Sequence, residues 1–198
     1  MITYRVEGLE GTINKFKNIS KEKEKQIQAC LNDFADRTAM DAKRYVSNDA
    51  VDTGRLMNSI SAKYGKKSAS VVANVYYAPY VEFGTRKFAA AYVASLPQEW
   101  QALASKFKGK SSRGGNFTDF VLTIAKWMKR KGIKTGRYSV KTQRRLGNNQ
   151  QNKENDDRLA LQIASKILRE GLKARPFLRP AVDKNMPTLM NDIKAVLR

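Results

Sequence analysis

Hydrophobic and polar positions alternate from the first residues of the chain. Ile2, Tyr4 and Val6 alternate with Thr3, Arg5 and Glu7, and Gly8 closes the run. A period of two fits a half-buried strand. From about Lys21 to Val46 the period lengthens: Ile27, Leu31, Phe34, Thr38, Ala42 and Tyr45 recur in steps of three and four, one face of an amphipathic helix. A start at Leu9 would add Ile13, Phe16 and Ile19 to that face; Ser47-Asn48-Asp49 ends it. Ser59–Tyr64 and Ala69–Tyr77, the latter carrying Val71, Val72 and Val75, flank Gly65-Lys66-Lys67-Ser68 and predict a hairpin. Pro79 marks a sheet edge or strand end, because proline cannot donate to an interior ladder.

The second half reads as helices between polar stretches. Phe88–Ala104 is alanine-rich and broken by Pro97, with Ser95 or Pro97 opening a second helix through Trp100 and Leu103. Lys106–Asn116 is a Gly/Ser/Lys loop. Phe117, Phe120, Val121, Ile124 and Met128 mark an amphipathic helix that stops at Gly132. Ile133–Asp157 is polar and basic and includes Asn148-Asn149-Gln150-Gln151-Asn152, so a long loop or disorder is expected there. Leu159, Ile163, Ile167 and Leu168 give another helix face, ended at Gly171. Met186, Leu189, Ile193 and Val196 give the last, with Pro187 either starting that helix or kinking it. The expected fold class is α+β: a small antiparallel sheet covered by a long N-terminal helix and a C-terminal helix, with a large, mainly helical basic insertion.

Composition narrows the chemistry. The 198 residues are 41% hydrophobic, enough for a core. There is no histidine and a single cysteine, Cys30. The usual zinc sites and Ser-His-Asp or Cys-His catalysis are thereby excluded, as is an internal disulfide. Cys30, on the apolar helix, reads as a buried small hydrophobe. No segment is long and apolar enough to span a bilayer, and Met1–Val6 has no signal-peptide pattern, so synthesis in the host cytoplasm is expected. No cofactor or metal is expected.

Charge changes the picture more. The chain has 38 basic and 18 acidic residues, a formal charge of +20. Residues 104–175 hold 19 of the basic residues and 5 of the acidic ones. The densest part, Lys129, Arg130, Lys131, Lys134, Arg137, Lys141, Arg144 and Arg145, contains no acid. Such a stretch fits a polyanion contact that reads no sequence, and it equally fits a solvated loop.

Three short blocks remain. The first is Val51-Asp52-Thr53-Gly54-Arg55-Leu56 with Ser59-Ile60; the second is Tyr77-Ala78 with Glu82-Phe83-Gly84-Thr85-Arg86; the third is Arg175-Pro176-Phe177-Leu178-Arg179-Pro180-Ala181. In order and spacing they resemble the tail-completion or head–tail joining proteins of long-tailed bacteriophages, the minor tail protein Z-like family. The resemblance covers residues 1–86 and 174–198. It implies a core built from those two segments; residues 87–173 depart from it as an insertion, in which composition predicts a mobile loop at about 133–157. Read as residues, Asp52 and Thr53 cap a turn, Gly54 and Gly84 supply special backbone angles, and Pro176 and Pro180 fix the entry to the last helix. Phe83 and Phe177 are expected as buried anchors. Arg55, Glu82, Arg86, Arg175 and Arg179 are the candidates for contacts with a neighbouring subunit or partner, where arginine suits bidentate carboxylate pairing.

The resemblance implies a structural virion protein. It would form a homo-oligomeric ring at the head-proximal end of the tail, beside tail terminator, tail tube or connector proteins. DNA contact is compatible with the charge. A nonspecific nucleic-acid-binding protein using the basic insertion is the alternative. An enzyme is not expected: the carboxylate pairs Asp156-Asp157 and Glu22/Glu24 sit in polar stretches, and no phosphate-binding glycine loop is present.

Overall fold

The computed structural model describes residues 1–6, 20–49, 52–107, 116–135, 141 and 150–197. The chain divides into two compact units, Met1–Thr85 together with Lys173–Arg198, and Arg86–Leu172.

Unit 1 is built on a three-stranded antiparallel sheet, β1 (Ile2–Val6), β2 (Ile60–Tyr64) and β3 (Ala69–Ala73), in the order β1-β3-β2. The register sets Ile2 and Ile60 on either side of Ala73, and all three are buried. The alternation read in the sequence therefore brings β1 to the hairpin on one apolar face. Helix α1 (Lys21–Asp49) packs on β2 and β3. Ser20 caps it: its Oγ accepts the Lys23 N–H at 3.3 Å, and Glu22 and Glu24 lie in the first turn. Ile27, Leu31, Phe34, Thr38 and Ala42 all face inward, as their spacing predicts. The Tyr64 hydroxyl donates to Asp36 at 2.6 Å and ties the end of β2 to α1.

Two short helices follow the strands: α2 (Arg55–Asn58) and α3 (Ala78–Phe83). Pro79, expected at a strand end, instead lies in the first turn of α3, where its missing N–H costs nothing. The last helix of unit 1, numbered α8 here (Leu178–Leu197), begins eight residues before the expected Met186 and carries Pro187 in its interior. Its main partner is α1 rather than the sheet. Between the two helices Asp41 accepts from Lys184 Nζ at 2.8 Å and from Asn185 Nδ2 at 2.9 Å, and Arg37 bridges Asp33 and Asp192. Full burial of Ile2, Leu31, Ile60, Phe177 and Leu178 contributes about 1.5–3 kcal/mol each. Cys30 departs from expectation: it is half-buried, and burial pushes its thiol above the usual range.

Unit 2 is helical among its described residues: α4 (Arg86–Ala94), α5 (Gln98–Ser105), α6 (Phe117–Arg130) and α7 (Gln150–Glu170). Pro97 sits at the N-cap of α5 and Asn116 caps α6, accepting the Thr118 N–H at 3.2 Å. Helices α6 and α7 pack together, with Met128, Ala160 and Ala164 buried. Helix α7 starts well before the expected Leu159 and takes residues 150–157 out of the predicted loop. Gln150, Gln151, Lys153 and Glu154 favour helix, Gln150 donates to Glu154 one turn on, and Asp156 is held by Thr135. The rest of the expected mobile loop lies mostly outside the described residues.

Candidate functional site

The second and third sequence blocks meet at one buried carboxylate. Helix α3 turns Glu82 and Phe83 inward, and Glu82 is 0% exposed. Its Oε2 accepts the N–H groups of Phe177 at 2.8 Å and Leu178 at 2.9 Å; its Oε1 accepts that of Arg179 at 3.0 Å. These amides open α8, where backbone donors have no partner within the helix. A carboxylate placed there satisfies them and meets the positive end of the helix dipole. Beside it the Val81 carbonyl accepts the Arg175 N–H at 2.8 Å. Burial pushes the Glu82 carboxyl up, while the three amides and the Arg179 charge pull the other way.

Glu82 was expected at a contact with a neighbouring subunit. The structure corrects this: both oxygens are engaged within the chain and none of the side chain reaches the surface. A charge cannot be buried unless it is paired or hydrogen-bonded, and here backbone amides about 95 residues away supply the bonds. No charged partner in the local sequence marks this glutamate as buried. Its apolar neighbours Val81 and Phe83 were the available signal.

The other block residues surround this tie. Phe83 and Phe177 are buried. Pro176 and Pro180 are half-buried, Pro180 within the first turn of α8. Gly84 ends α3 at φ 75°, a left-handed conformation that other residues rarely adopt. Arg179 is largely covered and lies 3.3 Å from Asp183. Arg175 and Arg86 have exposed side chains, and Arg86 itself holds φ 52°.

The first block forms a separate feature. Asp52, Thr53, Gly54, Arg55 and Leu56, with Val46, Met57 and Tyr77, line a shallow cleft of about 300 Å³. Gly54 precedes α2 at φ 73°, and its carbonyl accepts the Asn58 N–H at 2.9 Å. Leu56 is buried, whereas Asp52, Thr53 and Arg55 are exposed. Burial raises the Tyr77 phenol pKa and the Arg55 charge opposes it. Val51 lies outside the described residues.

Of the basic stretch, Lys129, Arg130, Lys131 and Lys134 are exposed at the end of α6, and Lys141 is exposed. Arg137, Arg144 and Arg145 lie outside the described residues. Sequence reading missed two polar clusters. Asp41 with Lys184 and Asn185 is the first, flagged only by an acid beside the apolar stripe of α1. Asp156 with the Thr135 N–H and hydroxyl, at 2.7 and 2.6 Å, is the second and carries no sequence signal. Among the described residues no group of cysteine, aspartate and glutamate is arranged to hold a metal ion, and no helix is long and apolar enough to cross a membrane.

An α+β unit closed by a buried glutamate cap, with a helical unit inserted between its two segments, defines a small structural domain. Residues 10–84 match the model of the HK97-gp10-like family, described as "Bacteriophage HK97-gp10, putative tail-component". The match indicates a structural component of a phage tail, and so a virion protein that meets other virion proteins; the resemblance read from the three blocks holds at that level. The first block and the second as far as Gly84 fall inside the matched residues, whereas Thr85, Arg86, the third block and all of unit 2 fall outside. No curated protein and no solved structure matches the chain.

Proposed function

We propose that this protein forms a ring at the head-proximal end of the tail and completes the tail or joins it to the head. The observation that carries the reading is the match of residues 10–84 to a phage tail-component family. The geometry of unit 1 supports it. The second and third blocks serve shape: Glu82, Phe83 and Phe177 join the two chain segments of unit 1 into one body. The protein acts by binding and not by catalysis. A ring needs one surface of a subunit to complement a different surface on the next. Exposed Arg55, Arg86 and Arg175, and the partly covered Arg179, are the side chains proposed to make such contacts or to meet a neighbouring tail or connector protein. Particles made without the protein should contain filled heads and tails that fail to join. Fully joined particles with a defect confined to DNA replication or expression would reject the reading.

A further inference from the structure

The C-terminal end of α6 is a cationic turn held in a fixed shape. Lys126, Lys129 and Arg130 lie three and four residues apart on one helix face, and Lys131 and Lys134 follow. All five are exposed, and residues 126–134 contain no acid. A helix C-terminus attracts positive charge, but its dipole amounts to about half an elementary charge. Lys126, Lys129 and Lys134 alone exceed what the helix end can balance. Lys126, Lys129 and Lys134 have no carboxylate within ion-pair distance among the described residues.

The turn is built rather than loose. Gly132, at φ 68°, donates to the Lys129 carbonyl at 3.2 Å, and Ile133 donates to the Met128 carbonyl at 2.9 Å. That pair of bonds is a Schellman closure. Met128 is buried beneath it. Two residues past Gly132's neighbour, Thr135 is fastened to Asp156 of α7 through both its N–H and its hydroxyl. The lysines thus project from a backbone fixed at both ends, so binding orders only their side chains.

Three of the unit's six carboxylates are already engaged or sit at the far end of α6. Glu170 pairs with Lys87 and Arg169, Asp156 holds Thr135, and Asp119 lies in the first turn of α6, at the opposite end of a 14-residue helix. Unit 2 as a whole has 19 basic and 6 acidic residues.

We propose that this turn is a binding site for the phosphate backbone of duplex DNA, with Lys126, Lys129 and Lys134 each neutralising phosphates. Lysine binds phosphate as a flexible point charge, and duplex DNA offers closely and regularly spaced phosphates to a row of such charges on a fixed backbone. Contacts to phosphates fix a protein on the duplex without reading its bases, so the contact is independent of sequence. The proposal does not depend on the placement at the head–tail junction.

The test uses the full chain and fluorescence anisotropy with a labelled random 30-base-pair duplex, across a salt series. The wild-type protein should bind, with affinity falling steeply as salt rises. Lys126→Gln, Lys129→Gln and Lys134→Gln combined should flatten the slope of log affinity against log salt by roughly two to three. A second triple variant on unit 1, Lys25→Gln, Lys43→Gln and Lys63→Gln, removes the same charge from exposed positions and should leave binding within about twofold. Circular dichroism establishes that both variants are folded. Two unrelated duplex sequences should bind alike. Equal weakening by both triples would reduce the effect to net charge and overturn the site. Tighter binding of poly-glutamate than of the duplex at equal charge concentration would assign the turn to an acidic protein. Absence of duplex binding at 100 mM salt would also overturn the proposal.

Discussion

At the scale of residues, the decisive side chain is Glu82. Its removal leaves two fully buried amides and a third, partly buried one without an acceptor. Each buried amide so orphaned costs about 1–3 kcal/mol. Glu82→Ala should therefore lower the unfolding free energy by several such increments, measured by urea denaturation of the isolated protein, before any assembly step. A variant as stable as wild type but unable to assemble would return Glu82 to a partner contact. Phe177→Ala, in the same core, should cost roughly 3–5 kcal/mol. Thr38 offers the opposite case: its hydroxyl is buried on α1 with no hydrogen-bond partner among the described residues, so Thr38→Val should raise the melting temperature. Asp41 governs acid sensitivity. Its hydrogen bond from Lys184 comes first, with help from Asn185 and Arg44, in holding its pKa below the ordinary carboxylate value. A lowered folded pKa contributes stability above the unfolded pKa that is lost as pH falls through the folded one. Stability should drop below about pH 4, and Asp41→Asn should flatten that part of the profile. The buried anchors Phe83 and Phe177 were legible, because large aromatic residues beside conformational glycine and proline rarely serve any other end. The role of Glu82 was not, because it depends on amides that the fold brings from the far end of the chain.

At the scale of elements, periodicity carried furthest where one face is buried and the other wet. Helix α1, the β2–β3 hairpin and α6 appear where their stripes place them. The reading failed where termini are set by contacts rather than composition. Helix α8 begins at Leu178 because Glu82 caps it, and α7 begins at Gln150 although polar residues fill its first two turns. For α8 the compensating group, Glu82, lies outside the local window; for α7 local helix formers act together with Thr135, which reaches Asp156 from outside it. Gly132 was read correctly as a stop. It has open space around it, so a side chain there meets only the cost of a positive φ. Gly132→Ala should destabilise by about 1–2 kcal/mol, and hydrogen exchange at Ile133 should speed up more than at residues of α1. Unchanged protection at Ile133 would mean that the Schellman closure does not hold the turn.

At the scale of the whole molecule, two properties coexist. Unit 1 holds the blocks that resemble tail proteins, and it closes on itself through a buried cap. Unit 2 carries most of the excess positive charge, 19 basic against 6 acidic residues, with the α6 turn as its most concentrated described part. Charge of this kind steers association and selects partners more than it stabilises a fold. The composition was fully legible in the sequence; which cations share a rigid turn was not, since that required the Thr135–Asp156 clip. The proposed role in a ring places the burden on the exposed arginines. Reversing exposed Arg55 to glutamate should leave a folded protein with unchanged melting behaviour and reduce the yield of joined particles. The most direct test of the account is electron cryomicroscopy of intact virions. The account predicts this chain in a closed ring at the head-proximal end of the tail. Particles in which it is absent, or occupies a site away from the tail, would contradict it.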